Sequence, residues 1–352
     1  PVFPYKDANF WQDWRKVSTL EYYDENKNRA MRFNAEISIY GNYSRGHAQK
    51  SFEIRLSDKL GTGSINYPLY TTKPWLNSND DFILRNSGTD WNVVHFRDAM
   101  MERIMKDTYA DYLAANPAVV MLNGDFWGVY TIHENHDQHW MQNNFNLKKS
   151  EIDYLKEYGS NVELKLGSDT SFWSMYNYAT THDSTTQAYY NEMNSRLDIL
   201  NYADYFIAET YYDNGDWIGD WTNNIKMWRP TTGEKKWRYL LYDLDFGFGL
   251  YNSVNDNRLG MARNSTAFSY SSKMFKAMLA NPTFKRYFIN RYADLMNTIY
   301  LPSSINSVMM SYRDSMSHDM QAHFAKWGSN IGNWVANIDT MMRFVNARPN
   351  TA

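Results

Sequence analysis

The chain has 352 residues, contains no cysteine and carries a formal net charge of −3 at pH 7. This length suits two lobes or one large domain, and the near balance of charge gives no general attraction to nucleic acid or to an anionic membrane. The absence of cysteine excludes disulfides and thiolate metal sites, and the sequence has no run of 18 apolar residues to span a bilayer.

Strands are predicted in the first part of the chain. Polar and apolar residues alternate over 17–23, 35–40, 50–56 and 81–86. Lys50 begins the third of these strands, directly after a loop that is rich in glycine and serine. A lysine at this position would place a point charge on a phosphate. The alternative is a solvated lysine at a sheet edge, because most lysines are exposed.

A helix is predicted over residues 92–106, where apolar residues recur at helical spacing. Arg97, Asp98 and Glu102 are its notable polar members. Glu102 is the acid best suited to pair with Lys50, as the helix glutamate of a kinase pairs with its lysine. The alternative is that these residues are exposed helix charges.

A hairpin is predicted from the strand runs 118–122 and 127–132, which flank the turn dipeptide Asn-Gly. His133, His136 and His139 follow at three-residue spacing, which would align them along one side of a helix that started here. Because no acid-rich or cysteine partner set accompanies them, we prefer a hinge-like segment that grips a ligand, with Glu134 facing inward, to a zinc site.

The oxygen ligands of the chain are concentrated in residues 213–249, after a long amphipathic helix over 199–212. Two predicted strands, 225–229 and 237–242, form a hairpin in this stretch, and six acids and amides precede or follow it: Asp216, Asp220, Asn223, Asn224, Asp243 and Asp245. Divalent cations such as Mg²⁺ prefer oxygen ligands, so the set indicates a metal and phosphate site. The alternative is an acidic turn beside a buried hairpin.

The order Asp…Asn, hairpin, Asp-Phe-Gly is also the order of parts in the catalytic half of a protein kinase. There the first Asp accepts the hydroxyl proton, and the Asn and the second Asp hold metal. Agreement with Asp-Phe-Gly favours Asp245 as the chief metal ligand. Asp243 would lie on the same face of the strand, two residues earlier, and would be the second ligand.

The last part of the chain is predicted to be helical. A polar loop extends to about residue 270, and apolar residues then recur at helical spacing over 273–280, 282–300, 303–325 and 333–345. With no internal repeat and no long linker, we predict one continuous α+β unit with two lobes. A strand-rich lobe would occupy residues 1–150, and a helical lobe with the acidic loop and hairpin would occupy 151–352.

Several motifs occur in an order that resembles the CotH kinase family, the spore-coat protein H-like atypical kinases. They are Gly-Asn-Tyr-Ser-Arg (41–45) with Gln-Lys-Ser-Phe (49–52), Asn-Tyr-Pro-Leu (66–69), Leu-Arg-Asn-Ser-Gly (84–88) with Phe-Arg-Asp-Ala (96–99), Leu-Asn-Gly-Asp-Phe-Trp-Gly-Val-Tyr (122–130) with Glu134, Asp-Trp (216–217) with Asn-Asn (223–224), and Asp-Leu-Asp-Phe-Gly-Phe-Gly (243–249). Each motif is weak by itself, whereas their common order is specific.

The resemblance implies a protein-kinase-like fold that binds ATP with Mg²⁺ or Mn²⁺ and phosphorylates protein Ser or Thr. It implies an exported bacterial setting, extracellular or at the cell surface, where a polysaccharide-associated assembly is a typical context. The chain starts at Pro1 without an initiator methionine or a signal peptide. We therefore expect a processed or trimmed piece whose targeting segment lies outside this sequence.

Individual roles follow from the resemblance by position. The acid of the Asp-Trp motif would be the catalytic base, and Lys50 would contact the ATP phosphates. The remaining predicted site residues divide into a nucleotide-binding set, Arg45, Glu102 and Glu134, and a metal-binding set, Asn224, Asp243 and Asp245.

The sequence departs from the family pattern in three places. Asp-Trp occurs twice, so the base is either Asp216, which the upstream match favours, or Asp220, which the spacing to Asn224 favours. The arginine that frequently precedes the family glutamate is His133 here. The sequence also has no Gly-x-Gly-x-x-Gly loop, so residues 41–46 would have to cover the phosphates.

Two other classes of function are compatible with the same residues. A kinase-like module without turnover would bind a glycan or a protein in an extracellular assembly, and the 13 Trp and 28 Tyr would suit stacking on sugar rings. Most of these aromatic residues fall in predicted strands and helices and are more simply core. A metal-dependent hydrolase would use the same acids with an activated water.

Overall fold

The computed structural model describes residues 2–352, in which the chain forms two compact units. Unit 1 extends to Ala99 and adds Leu113–Asn146 and Tyr312–Trp334, whereas unit 2 contains Met100–Tyr112, Leu147–Ser311 and Val335–Ala352. Strands dominate the N-terminal half and helices the C-terminal part, so the predicted α+β class is confirmed. The division into lobes at residue 150 stays a prediction.

The strands are β1 (Lys16–Tyr23), β2 (Arg29–Tyr40), β3 (Ser51–Arg55), β4 (Ile65–Asn66), β5 (Ser78–Asn79), β6 (Asp81–Arg85), β7 (Ala115–Leu122), β8 (Asp125–His133), β9 (Ile152–Tyr158), β10 (Asn161–Leu166), β11 (Ile225–Pro230) and β12 (Arg238–Leu240). The α-helices are α1 (Arg97–Ile104), α2 (Gln138–Phe145), α3 (Thr170–Thr181), α4 (Gln187–Arg196), α5 (Ile199–Tyr211), α6 (Arg258–Arg263), α7 (Tyr270–Ala280), α8 (Pro282–Met296), α9 (Pro302–Trp327) and α10 (Ile331–Ala347). Within residues 2–352, no helix is both long and apolar enough to cross a bilayer.

The core of unit 1 is a six-stranded antiparallel sheet with strand order β1-β2-β3-β6-β8-β7. The predicted turn between β7 and β8 is present, with both Asn123 and Gly124 in the left-handed region at φ 52° and 90°. Strand β8 is buried along most of its length, and two histidines bind the backbone of Val129 at its centre. His95 Nε2 donates to Val129 O at 2.9 Å, and Val129 N donates to His323 Nδ1 at 3.1 Å.

The core of unit 2 combines a four-stranded sheet, β10-β9-β11-β12, with the buried helix α5. Asp198 caps the first turn of α5 by accepting from Asn201 N at 3.1 Å. Glu157 of β9 is fully buried and caps the first turn of α7 by accepting from Ser269 Oγ at 2.8 Å and Tyr270 N at 2.7 Å. This carboxylate therefore ties the sheet to a helix.

Three predictions of local structure are wrong for identifiable reasons. The helix predicted over 92–106 is confined to α1, because Asn92 and His95 have left-handed φ values of 61° and 73°. The strand predicted over 237–242 ends with β12 at Leu240, and Asp243 has φ 59°, so Asp243 and Asp245 do not share a strand face. The segment that forms α6 lies within the polar loop predicted to extend to about residue 270, because a short helix carries little apolar periodicity.

The buried histidine pair predicts acid sensitivity of unit 1. Burial and then the neighbouring His95 ring lower the pKa of His323 to about 2, far below the value of an unfolded histidine. Below about pH 6.5 the unfolded chain takes up a proton that the folded chain excludes. As the pH is lowered through this range, this one histidine should therefore reduce the free energy of unfolding by about 1.4 kcal/mol per pH unit.

Urea unfolding between about pH 7 and about pH 5 measures this slope. His323→Asn keeps an acceptor near Val129 N and removes the titrating ring, so we expect it to flatten the slope. His318, which is exposed on the same helix, supplies the matched control His318→Asn, and its slope should equal that of the unsubstituted chain. Equal slopes for all three proteins would contradict the prediction.

Candidate functional site

Side chains of the loop that follows α5 form hydrogen bonds with side chains of the helix. Asn214 Nδ2 donates to Glu209 Oε2 at 2.9 Å, and Asn214 Oδ1 accepts from Asp216 N at 3.1 Å. Trp217 Nε1 donates to the Tyr205 hydroxyl at 2.8 Å. These bonds fix the backbone on both sides of Asp216 relative to the buried helix.

The Asp216 carboxylate is the centre of a hydrogen-bond network. Asn223 Nδ2 donates to both of its oxygens at 3.1 Å, Asn224 Nδ2 donates to Oδ2 at 3.1 Å, and Trp221 Nε1 donates to Oδ1 at 3.0 Å. Burial is the main cause that raises the pKa of Asp216, and the Asp243 charge adds to it while the Asn223 hydrogen bond opposes it. The structure thus brings Asp216, the paired asparagines and Asp243 together.

The Asp-Phe-Gly segment lies against the same loop. Gly215 N donates to Phe246 O at 3.5 Å, and Phe248 N donates to Tyr212 O at 2.7 Å. Asn252 Nδ2 bridges the two segments, since it donates to Asp213 O at 2.7 Å and to Phe246 O at 3.1 Å. Asp245 is buried with 3% of its side chain exposed, whereas Asp243 is half-buried.

Asp220, the alternative base, lies outside the Asp216 network. Its side chain is exposed, and Oδ1 accepts from Thr266 Oγ1 at 3.1 Å. Both acids nevertheless line one open cavity of about 540 Å³. Among its lining residues, three large aromatic side chains are substantially exposed: Tyr158 at 62%, Trp221 at 53% and Phe268 at 42%.

Two cationic residues of this region were missed by the sequence analysis. Arg258 Nε donates to the buried Asp213 carboxylate at 2.9 Å, which holds the start of the loop. Lys226 is 5% exposed, and its Nζ lies 4.5 Å from the ring centroid of Tyr242. Strand alternation offered a signal for Lys226, which is two residues after Asn224, whereas no local signal connects Arg258 with Asp213.

In unit 1, the Lys50 ammonium is held by its own loop. Nζ donates to Arg45 O at 2.6 Å and to His47 O, and it lies 3.7 Å from the Phe10 ring centroid. Burial lowers the pKa of Lys50. The Arg45 guanidinium holds the other end of the loop by donating to Gly41 O at 2.8 Å. The predicted contacts of Lys50 and Arg45 with ATP stay predictions.

Glu134 is buried, as predicted from its position, and it is part of an ion pair. Lys73 Nζ lies 2.6 Å from Oε2, and both side chains are almost fully buried. Ala114 N also donates to Oε2 at 2.6 Å, and Asn144 Nδ2 donates to Oε1 at 2.8 Å. Sequence spacing gave no signal for Lys73, which is 61 positions away and in a loop. The nucleotide-binding role of Glu134 stays a prediction.

Glu102 of unit 2 is fully buried, so the alternative of an exposed helix charge is wrong for this residue. Its predicted pairing with Lys50 stays a prediction. The condition for aligning the three histidines along one helix is not met, because α2 begins only at Gln138. His133 Nε2 lies 3.3 Å from Asp98 Oδ2, and His139 Nδ1 lies 3.2 Å from Asp80 Oδ2.

A comparison with protein families supports the resemblance that the motifs indicate. The family described as CotH kinase protein matches residues 37–352, which is most of the chain and includes every predicted site residue. A search of curated proteins finds no match.

The Asp213–Arg258 ion pair predicts a large effect on stability. Arg258→Met should leave Asp213 buried without its cation and lower the free energy of unfolding by about 3 kcal/mol. Arg263→Met is the matched control, since Arg263 is exposed on the same helix, and a change within about 0.5 kcal/mol is expected. Urea unfolding of the two variants measures the difference, and equal values would contradict a structural role for the pair.

Proposed function

Because the chain belongs to the CotH kinase protein family, we propose that it transfers a phosphoryl group from ATP to a Ser or Thr hydroxyl of a protein. The observation that carries this proposal is the Asp216 carboxylate. It lines an open cavity, accepts hydrogen bonds from Asn223, Asn224 and Trp221, and lies within electrostatic range of Asp243. A base, an amide and a second acid in one place are the parts that phosphoryl transfer uses.

Asp216 would orient the acceptor hydroxyl and accept its proton. Its donors hold the carboxylate at a fixed position in the cavity wall, so an entering hydroxyl meets an acceptor that needs no rearrangement. The raised pKa of Asp216 brings its basicity closer to that of a general base at neutral pH. Asp220 would contribute to the acceptor side of the cavity, since it is exposed and outside the Asp216 network.

The predicted metal ligands fit a hard divalent cation by their chemistry. Asn224 Nδ2 is used by Asp216, which leaves the amide oxygen as the atom for coordination. Together with the Asp243 and Asp245 carboxylates, this gives the oxygen donors that Mg²⁺ or Mn²⁺ prefers. When bound, such an ion would neutralise charge on the ATP phosphates.

The remaining residues of the proposal belong to the nucleotide. We retain Lys50, Arg45, Glu102 and Glu134 as residues that contact ATP or position its contacts. Lys50 would have to exchange its carbonyl acceptors, Arg45 O and His47 O, for phosphate oxygens, which a flexible ammonium with three donors can do. An exported setting and a protein acceptor are proposed from the family alone.

A second candidate function is supported by the aromatic cavity wall. Exposed rings of Tyr158, Trp221 and Phe268 present flat apolar faces next to carboxylates and amides. The apolar face of a sugar ring packs on such surfaces while its hydroxyls bond to the acids. A CotH-like module without turnover would bind a glycan of an extracellular assembly in this way.

The proposed metal site predicts how nucleotide binding responds to substitution. Calorimetry should detect ATP binding that requires Mg²⁺ or Mn²⁺ and that chelator reverses. Asp245→Ala should abolish this binding and leave the fold nearly intact, whereas Asp294→Ala, an exposed acid on α8, should bind as the unsubstituted chain does. Undiminished binding by Asp245→Ala would refute the metal role. No binding of ATP with either metal, together with retention on a polysaccharide, would favour the second candidate.

The position of Asp216 predicts which acid matters for turnover. With radiolabelled ATP and casein as a general acceptor, Asp216→Asn should lower the transfer rate by at least about 100-fold, because a general base contributes this much. Its affinity for ATP and metal should persist. Asp220→Asn should stay within about threefold of the unsubstituted chain, because Asp220 is not held in the network. The reverse result would identify Asp220 as the base.

A further inference from the structure

Unit 1 contains a group of potential metal ligands that includes none of the residues proposed for phosphoryl transfer. Asp81, at the start of β6, lies with Asp137 and His139, at the start of α2. One potential ligand atom from each of the three side chains lies within 4.8 Å of the other two. This separation allows one ion to contact all three. The sequence analysis discounted zinc at His139 for lack of acidic partners, and the fold supplies them.

His139 is the one side chain of this group that can offset the charge of its two carboxylates. Asp81 is buried, with 6% of the residue exposed. Within residues 2–352, neither Asp81 nor Asp137 forms an ion pair with lysine or arginine. Asn135 Nδ2 bridges them by donating to Asp81 Oδ2 at 2.9 Å and to Asp137 Oδ2 at 3.3 Å. Buried carboxylates that face each other are stabilised by a proton or a cation.

A separate observation points to a ligand in the same region. The Tyr70 side chain is 1% exposed, and its hydroxyl has no hydrogen-bond partner among residues 2–352. After burial, the charges of Glu134 and Asp81 are the causes that raise the pKa of Tyr70, so the hydroxyl lies within electrostatic range of Asp81. A buried hydroxyl without a partner costs about 1–3 kcal/mol. A bound water molecule in this region would satisfy it.

The surroundings of His139 also match those of a metal ligand. Its Nδ1 lies 3.2 Å from Asp80 Oδ2. Histidines that bind metal usually donate the second ring N–H to a carboxylate, which fixes the ring and its tautomer. With Nδ1 of His139 donating to Asp80, Nε2 would be the ring atom that remains for coordination.

We propose that Asp81, Asp137 and His139 bind a divalent transition-metal ion, with Zn²⁺ as the best-suited ion. Imidazole nitrogen and carboxylate oxygen are both zinc ligands, and three protein ligands leave a fourth, tetrahedral position for water. The imidazole disfavours Ca²⁺, which takes six to eight oxygen ligands. The ion would connect the start of β6 to the first turn of α2 and so stabilise unit 1.

Thermal unfolding of the full chain, first freed of metal by chelator and then given Zn²⁺ or Ca²⁺, tests the proposal. Zn²⁺ should raise the Tm by at least about 3 °C, and Ca²⁺ should change it by less than about 1 °C. His139→Gln and Asp81→Asn should each abolish the zinc shift. The zinc-free Tm of Asp81→Asn should equal or exceed that of the unsubstituted chain, because one of the two facing carboxylates is neutralised.

Two control variants separate this site from other zinc ligands. His136→Gln alters a neighbouring histidine that contacts the Tyr40 hydroxyl, and it should keep the zinc shift. Asp245→Asn, in the proposed phosphoryl-transfer site, should keep it as well. The proposal is overturned if the unsubstituted chain shows no zinc shift, if Asp81→Asn or His139→Gln retains it, or if either control loses it. A lower zinc-free Tm of Asp81→Asn would contradict the repulsion between the facing carboxylates.

Discussion

The polar side chains of a buried helix are the constraint on which unit 2 depends. All residues of α5 except Leu200 are buried, including several polar ones, and each buried polar group without a partner would cost about 1–3 kcal/mol. Asn201 meets this demand by exchanging two hydrogen bonds with the backbone of Tyr239 in β12, at 3.1 and 2.7 Å. Glu209 Oε2 accepts from Asn214 Nδ2 at 2.9 Å. The same helix thus positions the strand that leads to Asp243 and the loop that leads to Asp216.

The C-terminal end of α5 imposes a similar demand, because the last carbonyls of a helix have no partner within it. Arg348 donates to Thr210 O at 2.7 Å and to Tyr211 O at 2.9 Å, and Phe248 N donates to Tyr212 O. The residues around the Asp-Phe-Gly motif therefore complete a helix end as well as carrying acids. A substitution in this motif that shifts Phe248 would leave a buried carbonyl without a donor, so the packing of the motif and its chemistry are coupled.

The sequence was informative where structure is local and uninformative where contacts are distant. Alternation and turn chemistry predicted the β7–β8 hairpin and β11, and helical spacing predicted α5, because each pattern lies within one short segment. The end of β12 was missed because Asp243 has a left-handed backbone, which an aspartate tolerates without any sequence signal. The Lys73–Glu134 pair was missed because tertiary folding, not spacing, joins its members.

Different donors give the buried carboxylates different chemical roles. Asp213 and Glu134 are paired with Arg258 and Lys73, so their charges are neutralised by the protein and serve its stability. The donors to Asp216, in contrast, are amide and indole N–H groups, which orient a carboxylate without cancelling its charge. Such a carboxylate keeps an uncompensated negative charge at the wall of an open cavity. A hydroxyl proton or a cation that enters the cavity would therefore meet an acid whose charge the protein does not neutralise, which suits phosphoryl transfer.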